Sequence, residues 1–234
     1  MELTEDSFRA LARSSPWRWS TLHLTRHSTW GVEGSPVEAW VRRPGWMRVR
    51  VDGRDHVVVE EPASGTVVTS VGPDSEGPVE LPPPAEPVFR PDGLVARRPE
   101  DHFLHGRDDP MWQDYTWVAM LDPAELADGT RVADLSAGVR GGREVWRARV
   151  WAEEGYEPRC GCCPLLWSEV SELAEQEAGG PTYRENHPDV TYPDGFRVAL
   201  DVQTGVLVEL YPVGGDQPDD VIEVDIHAVD QPVG

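Results

Sequence analysis

From Trp17 to Val59 the sequence changes polarity at nearly every residue, and a period of two marks strands with one face buried. Trp17, Trp19, Thr21 and His23 alternate with Arg18, Ser20, Leu22 and Leu24. Val37 to Val41 continues the pattern, Pro44-Gly45 turns the chain, and Met47, Val49 and Val51 then alternate with Trp46, Arg48 and Arg50. Asp52-Gly53 is a two-residue hairpin signal, Val57-Val58-Val59 resumes beyond it, and Gly65 with Thr66 to Thr69 adds one more turn and strand. A chain that opens this way folds around an antiparallel meander.

What surrounds the meander narrows the fold class. Thr4 to Ala12 reads as a helix capped by Thr4, striped by Phe8, Leu11 and Ala12, and stopped at Ser15-Pro16. Residues 71–100 hold eight prolines, which remove backbone donors and favour a long crossover over regular structure. The sequence beyond them is too poor in strand signals to form a sheet alone, so the crossover is expected to join two parts of one sheet. Asp122-Pro123-Ala124-Glu125 opens a short helix with the pattern of a capping box, and Gly129 closes it. Gly141-Gly142 precedes a strand over Val145 to Trp151. Leu166, Val170, Leu173 and Ala174 have helical spacing, stopped by Gly179-Gly180-Pro181. Phe196 to Asp201, Val206 to Tyr211 and Val221 to Ala228 close the chain as three strands.

Several phrases in this order resemble the outer-membrane lipoprotein carrier (LolA-like) superfamily, including its actinobacterial members of unknown function. They are Val37-Glu38-Ala39-Trp40-Val41-Arg42-Arg43-Pro44-Gly45-Trp46-Met47-Arg48-Val49, Leu121-Asp122-Pro123-Ala124-Glu125-Leu126, Gly142-Arg143-Glu144-Val145-Trp146-Arg147-Ala148 and Val198-Ala199-Leu200-Asp201-Val202-Gln203-Thr204-Gly205-Val206-Leu207. The resemblance covers roughly residues 1–215 with gaps. It implies an α+β fold: a curved antiparallel sheet, or half-open barrel, with short helices on its concave face and an apolar cavity for a lipid-like ligand. One domain over 1–234 is expected, with the crossover at 71–100 and a cysteine-containing insertion at 152–195. The family supplies no catalytic residues to carry over. The lack of an export signal at Met1 to Arg13 and of a lipid-attachment cysteine near the start departs from the carriers.

Charge excludes some functions. The net charge is −21, with 42 acids against 21 bases, and every base is arginine. Such a field repels nucleic-acid phosphates and anionic membranes. No stretch approaches the ~20 apolar residues that span a bilayer. The three cysteines all fall in Cys160-Gly161-Cys162-Cys163, which is no secreted disulfide framework, so a cytoplasmic protein is expected. The acids Asp216, Asp219, Asp220, Glu223, Asp225 and Asp230 form a solvated face or one that meets a basic protein partner.

Two sets of residues are candidate sites. Trp17, Trp19, Trp40 and Trp46, with Trp30, belong to the first sheet, where a concave face would let them line a pocket for an apolar small molecule. Cys160, Cys162 and Cys163, bracketed by Pro158 and Pro164, offer three thiolates to zinc or another soft metal. His187 is the nearest histidine in sequence for a fourth ligand. The same thiols also read as a packed cysteine turn, or as a redox pair between Cys160 and Cys162 or Cys163. His102, His105 and Asp109 would share a face if helical, but Pro99, Gly106 and Pro110 favour a solvated loop. His23 and His27, ~13 Å apart along a strand, are polar sheet positions. No G-x-S-x-G, H-E-x-x-H, P-loop or G-x-G-x-x-G occurs. The expectation is a non-catalytic binding protein for an apolar ligand or protein partner, with a zinc or thiol protein built on the cysteines as the alternative.

Overall fold

The computed structural model describes residues 2–29, 36–59, 66–67, 79–80, 86–99, 109–177, 182–216 and 221–233. Helix α1 (Glu5–Ser14) begins with a reciprocal cap: the Ser7 N–H donates to Thr4 Oγ1 at 3.1 Å and the Thr4 N–H to Ser7 Oγ at 2.8 Å. Pro16 continues the helix rather than starting a strand. Its fixed φ suits the first turn of a helix, and Ser15–Trp17 forms a 3-10 turn there. Trp17 and Trp19 therefore precede the first strand, a correction to the alternation read from the sequence.

Strands β1 (Thr21–Ser28), β2 (Val37–Arg42), β3 (Trp46–Val51) and β4 (Arg54–Val59) form the expected meander. Asp52 and Gly53 both take positive φ, 49° and 73°, as a tight hairpin requires. The pairs β5 (Thr66–Val67) with β6 (Val79–Glu80) and β7 (Val88–Phe89) with β8 (Val95–Arg97) follow. The described part of the crossover is thus more ordered than its prolines suggest. Leu94 and Val95 are fully buried, and the Val95 N–H donates to Ser14 Oγ at 2.8 Å.

Helix α2 (Thr116–Leu121) has all six residues buried. Strands β9 (Thr130–Arg140) and β10 (Arg143–Ala152) form the longest hairpin, and β9 is a strand that the sequence reading missed. Helices α3 (Glu169–Glu177) and α4 (Tyr183–Asn186) lie between β10 and the closing strands β11 (Phe196–Asp201), β12 (Leu207–Pro212) and β13 (Ile222–Val229). These last three match the expected segments within a residue. Gly179-Gly180-Pro181, the expected stop of α3, lies outside the described residues, as do Trp30, His102 and His105.

Nine strands make one antiparallel sheet in the order β4-β3-β2-β1-β13-β12-β11-β10-β9. The chain's two meanders meet where β1 pairs with β13, from Leu22 opposite Val229 to Ser28 opposite Ile222. The edge strands β4 and β9 do not pair with each other, so the curved sheet stays open. Its inner face carries Leu22, Leu24, Ala39, Val41, Met47 and Val49, all fully buried in one core with Phe8 and Leu11 of α1 and Met120 and Leu121 of α2. Each buried leucine, valine, methionine or phenylalanine among them stabilises the fold by about 1.5–3 kcal/mol relative to exposure. Among the described residues, no helix is long and apolar enough to cross a membrane.

Candidate functional site

The loop between β10 and α3 carries the cysteines, and one carboxylate fastens both of its ends. Glu125 sits in the 3-10 turn Ala124–Leu126 and is 5% exposed. Its Oε1 accepts from the Tyr156 hydroxyl at 2.6 Å and the Leu165 N–H at 2.8 Å, while Oε2 accepts from the Arg159 N–H at 2.8 Å. Tyr156 Oη in turn accepts from the Leu166 N–H at 3.2 Å. Glu125 is thus a clamp, not the capping residue that the sequence pattern suggested. Burial raises its pKa above the ordinary value against the pull of these donors, and burial first, then the charge of Glu125, pushes Tyr156 well up.

A second buried carboxylate secures the same loop. Arg98 Nη1 donates to Asp122 Oδ2 at 2.8 Å, Arg98 Nη2 pairs with Oδ1, and Arg159 Nη2 pairs with Oδ2. Burial would raise the pKa of Asp122, but the charges of Arg98 and Arg159 hold it well below the usual carboxylate range. Beside this group, Arg43 makes a bidentate pair with Asp109 at 2.7 and 2.6 Å and lies 3.4 Å above the Trp19 ring. Asp109 is therefore buried in an ion pair, not solvated in a loop.

Held at both ends, the loop turns at Gly161 and Cys162, with the Cys163 N–H donating to the Cys160 carbonyl at 3.3 Å. Gly161 does not take a positive φ, so the turn does not depend on glycine's left-handed conformation. The three sulfurs converge. Cys160 Sγ and Cys162 Sγ lie 2.9 Å apart, Cys162 Sγ and Cys163 Sγ 3.7 Å, and all three fall within 4.8 Å of one another. Cys162 is exposed, Cys160 half-buried and Cys163 8% exposed. Burial pushes the Cys160 thiol up, but the S–H and N–H donors of Cys162 and Cys163 pull it down further, to a net lowering. Burial raises Cys163 strongly, and the Cys160 sulfur adds to the rise.

Tetrahedral zinc with ~2.3 Å bonds to sulfur would set sulfurs ~3.8 Å apart. The Cys162–Cys163 edge already has that length, and the Cys160 sulfur has to swing outward by about 1 Å. His187 is not in the group of converging ligand atoms. It follows α4, its N–H donating to the Tyr183 carbonyl at 2.8 Å and its ring stacked 4.1 Å from that of Tyr183.

Trp40 and Trp46 lie on the outer face of the sheet, in phase with Glu38 and Arg48 and out of phase with the buried Ala39, Val41, Met47 and Val49. Trp40 stacks on His23 at 4.7 Å, with Arg48 over its ring, and Trp46 carries Arg42. Trp19 is buried and donates from Nε1 to Ser15 Oγ at 3.1 Å, and Trp17 is half-buried near Arg98. His23 pairs with Glu38 at 2.9 Å and His27 approaches Asp225 at 3.7 Å, both as outer sheet positions. A cavity of about 800 Å³ borders the cysteine loop at Pro158 and Arg159, and its lining mixes apolar surface with the charged groups of Arg13, Arg97, Arg98 and Glu125. Of the acidic C-terminal run, Asp225 pairs with Arg140 at 3.2 Å and Asp230 Oδ1 accepts from the Ser20 N–H at 2.7 Å, while Asp219 and Asp220 lie outside the described residues.

Sequence reasoning missed Asp122 and Glu125 as anchors, and it missed Arg26. Arg26 is a buried arginine on the inner face of β1, 3% exposed. Its signal was its phase, because Leu22, Leu24 and Arg26 are alternate residues and share a face.

No protein-family model matches the sequence, and no curated protein matches it. Among solved structures the chain is similar to the crystal structure of MucB, with 13% identity and a TM-score of 0.30 over 97% of this chain. The chain spans 59% of the length of that MucB chain.

Proposed function

We propose that this protein binds a soft metal ion through Cys160, Cys162 and Cys163. The observation that carries the reading is the convergence of three sulfurs within 4.8 Å on a loop clamped by a buried carboxylate. Thiolates select Cu(I) and Zn(II) among biological ions, and binding replaces the thiol protons. Pre-setting matters energetically, because a loop already ordered by Glu125 and Asp122 loses little further conformational freedom when an ion arrives. An apolar ligand would need an apolar cavity beside the tryptophans. The described inner face is instead filled by α1 and α2, and Trp40 and Trp46 point outward.

Native mass spectrometry of the reduced protein, incubated with Cu(I) or Zn(II) and then challenged with chelator, tests this. One ion per chain is expected, abolished in Cys160→Ser and in Cys163→Ser. Metal-free mass at equimolar ion, or uptake that survives both replacements, would overturn the proposal. A fatty-acid adduct on the metal-free protein would restore the apolar reading.

A further inference from the structure

On the outer face of the sheet, Arg149 of β10 stands directly opposite Arg197 of β11, and Arg197 stands opposite Tyr211 of β12. Like charges that face each other across two strands destabilise a sheet. This chain has two acids for every base, yet it sets two arginines against each other here. Two more reach the same patch through Glu209, which accepts from Arg147 Nε at 2.9 Å and Arg140 Nη1 at 3.2 Å. Arg140 continues to Asp225 at 3.2 Å.

The acids in contact leave the facing pair only partly compensated. Arg149 Nη2 donates to the Asp194 carbonyl at 2.7 Å and to its Oδ2 at 3.0 Å, and the Asp194 side chain is 84% exposed. Arg149 Nε is buried with no hydrogen-bond partner. Arg197 is exposed and makes no ion pair among the described residues, and its guanidinium carbon lies 5.4 Å from the Tyr211 ring centroid. Arg149, Arg197 and Tyr211 line a cavity of about 800 Å³ together with Asp134, Arg147 and Glu209. Two backbone features make room there. A Cβ at Gly138 would stand 2.1 Å from Arg147 Nη1, so the glycine leaves space for that guanidinium. Strand β9 also bulges beside the arginines, where its register shifts between Arg147 and Arg149 and Asp134 takes a φ of 53°.

We propose that this cavity binds the phosphate group of a small organic molecule between Arg149 and Arg197. An oxyanion placed there turns a repulsive pair of guanidinium groups into two attractive contacts. The planar guanidinium fork suits phosphate oxygens, and a phosphate monoester brings about one and a half to two negative charges at neutral pH, where a carboxylate brings one. The cavity is larger than a phosphate alone, and the Tyr211 ring at its wall is a surface for the organic part. Glu209 is occupied by Arg140 and Arg147, so the acid that opposes an anion here is Asp134. The overall charge of −21 also opposes it, and salt screens that distant field more than it screens the contacts within the cavity. The cavity shares no residue with the thiol loop.

Isothermal titration calorimetry at fixed ionic strength, with inorganic phosphate, phenyl phosphate and acetate as probes, tests this. Both phosphates are expected to saturate at one per chain, phenyl phosphate the tighter, with acetate about fivefold weaker or more. Arg197→Gln and Arg149→Gln are each expected to weaken phenyl phosphate about tenfold. Arg54→Gln makes the same charge change on the edge strand β4, at the far end of the sheet, and should stay within about twofold. Asp134→Asn should tighten both phosphates. A merely structural role for Arg197 is separated by melting. Without phosphate, Arg197→Gln should melt no lower than wild type, because it relieves the facing charge, while phenyl phosphate should raise the melting temperature of wild type alone. Equal weakening in Arg54→Gln and Arg197→Gln, acetate as tight as the phosphates, or no saturation by either phosphate would overturn the proposal. Inorganic phosphate as tight as phenyl phosphate would overturn its organic part and assign the cavity to free phosphate.

Discussion

Replacing Glu125 with alanine removes the acceptor of three hydrogen bonds at once, from the Tyr156 hydroxyl and the Arg159 and Leu165 N–H groups. The Tyr156 hydroxyl and the Leu165 N–H are buried, so water cannot readily take the place of the carboxylate. Each stranded donor costs about 1–3 kcal/mol, and local relaxation together with the regained solvation of a carboxylate offsets part of the sum. A net loss of about 3–5 kcal/mol is expected, a large share of a typical folding free energy. Urea titration followed by near-ultraviolet circular dichroism measures it, with the midpoint falling at an unchanged slope. The loss should also be visible locally: backbone amides of residues 159–165 should exchange with deuterium faster, and the cysteines should react faster with a thiol reagent. A drop below about 1 kcal/mol with unchanged exchange in that loop would refute the clamp.

Asp122→Asn should cost about 3–5 kcal/mol at neutral pH, since it strands the charges of Arg98 and Arg159 in a buried site, as chemical denaturation would show. The pKa of Asp122 is lowered on folding, so its contribution is full above the unfolded value of about 3.9 and is lost as pH falls through the folded value. The wild-type stability advantage over Asp122→Asn should therefore shrink on acidification, and a constant difference down to pH 2 would contradict the assignment. Glu125 has the opposite sign. Its raised folded pKa makes its stabilising share greatest below the unfolded value of about 4.3, and that share declines as pH rises through the folded value. Gly129→Ala should destabilise far more than Gly53→Ala, although both glycines have positive φ. A Cβ at 129 would stand 2.2 Å from the Gly155 carbonyl oxygen, whereas one at 53 meets nothing within 4 Å. Thermal melts should separate them by about 1–3 kcal/mol, and equal melts would refute the close approach.

How much of this was legible depended on the range of each interaction. The first meander and the three closing strands could be read because alternation and turn residues are local, as at Asp52-Gly53. Strand β9 was overlooked although Ala133, Leu135, Ala137 and Val139 alternate with Asp134, Ser136 and Gly138; little of that half is buried, and its pairing with β10 holds it as a strand. Trp17 and Trp19 were drawn into the alternation by residue type, while Pro16 extended the preceding helix turn instead. The cysteine cluster was plain in sequence, but its anchors were not. Asp122 and Glu125 imitate a capping box, and their partners Arg98, Arg159, Tyr156 and Leu165 lie 24 to 40 residues away. His187 was proposed by sequence proximity, yet its stacking on Tyr183 belongs to the local geometry of α4.

The central claim is that three sulfurs of one loop hold one ion. X-ray absorption at the copper edge of the reduced protein loaded with one equivalent of Cu(I) counts the scatterers around the ion directly. Three sulfurs at one distance, falling to two in Cys162→Ser, is the expected result. A first shell dominated by nitrogen or oxygen, or one unchanged when Cys160, Cys162 and Cys163 are all replaced by serine, would contradict it.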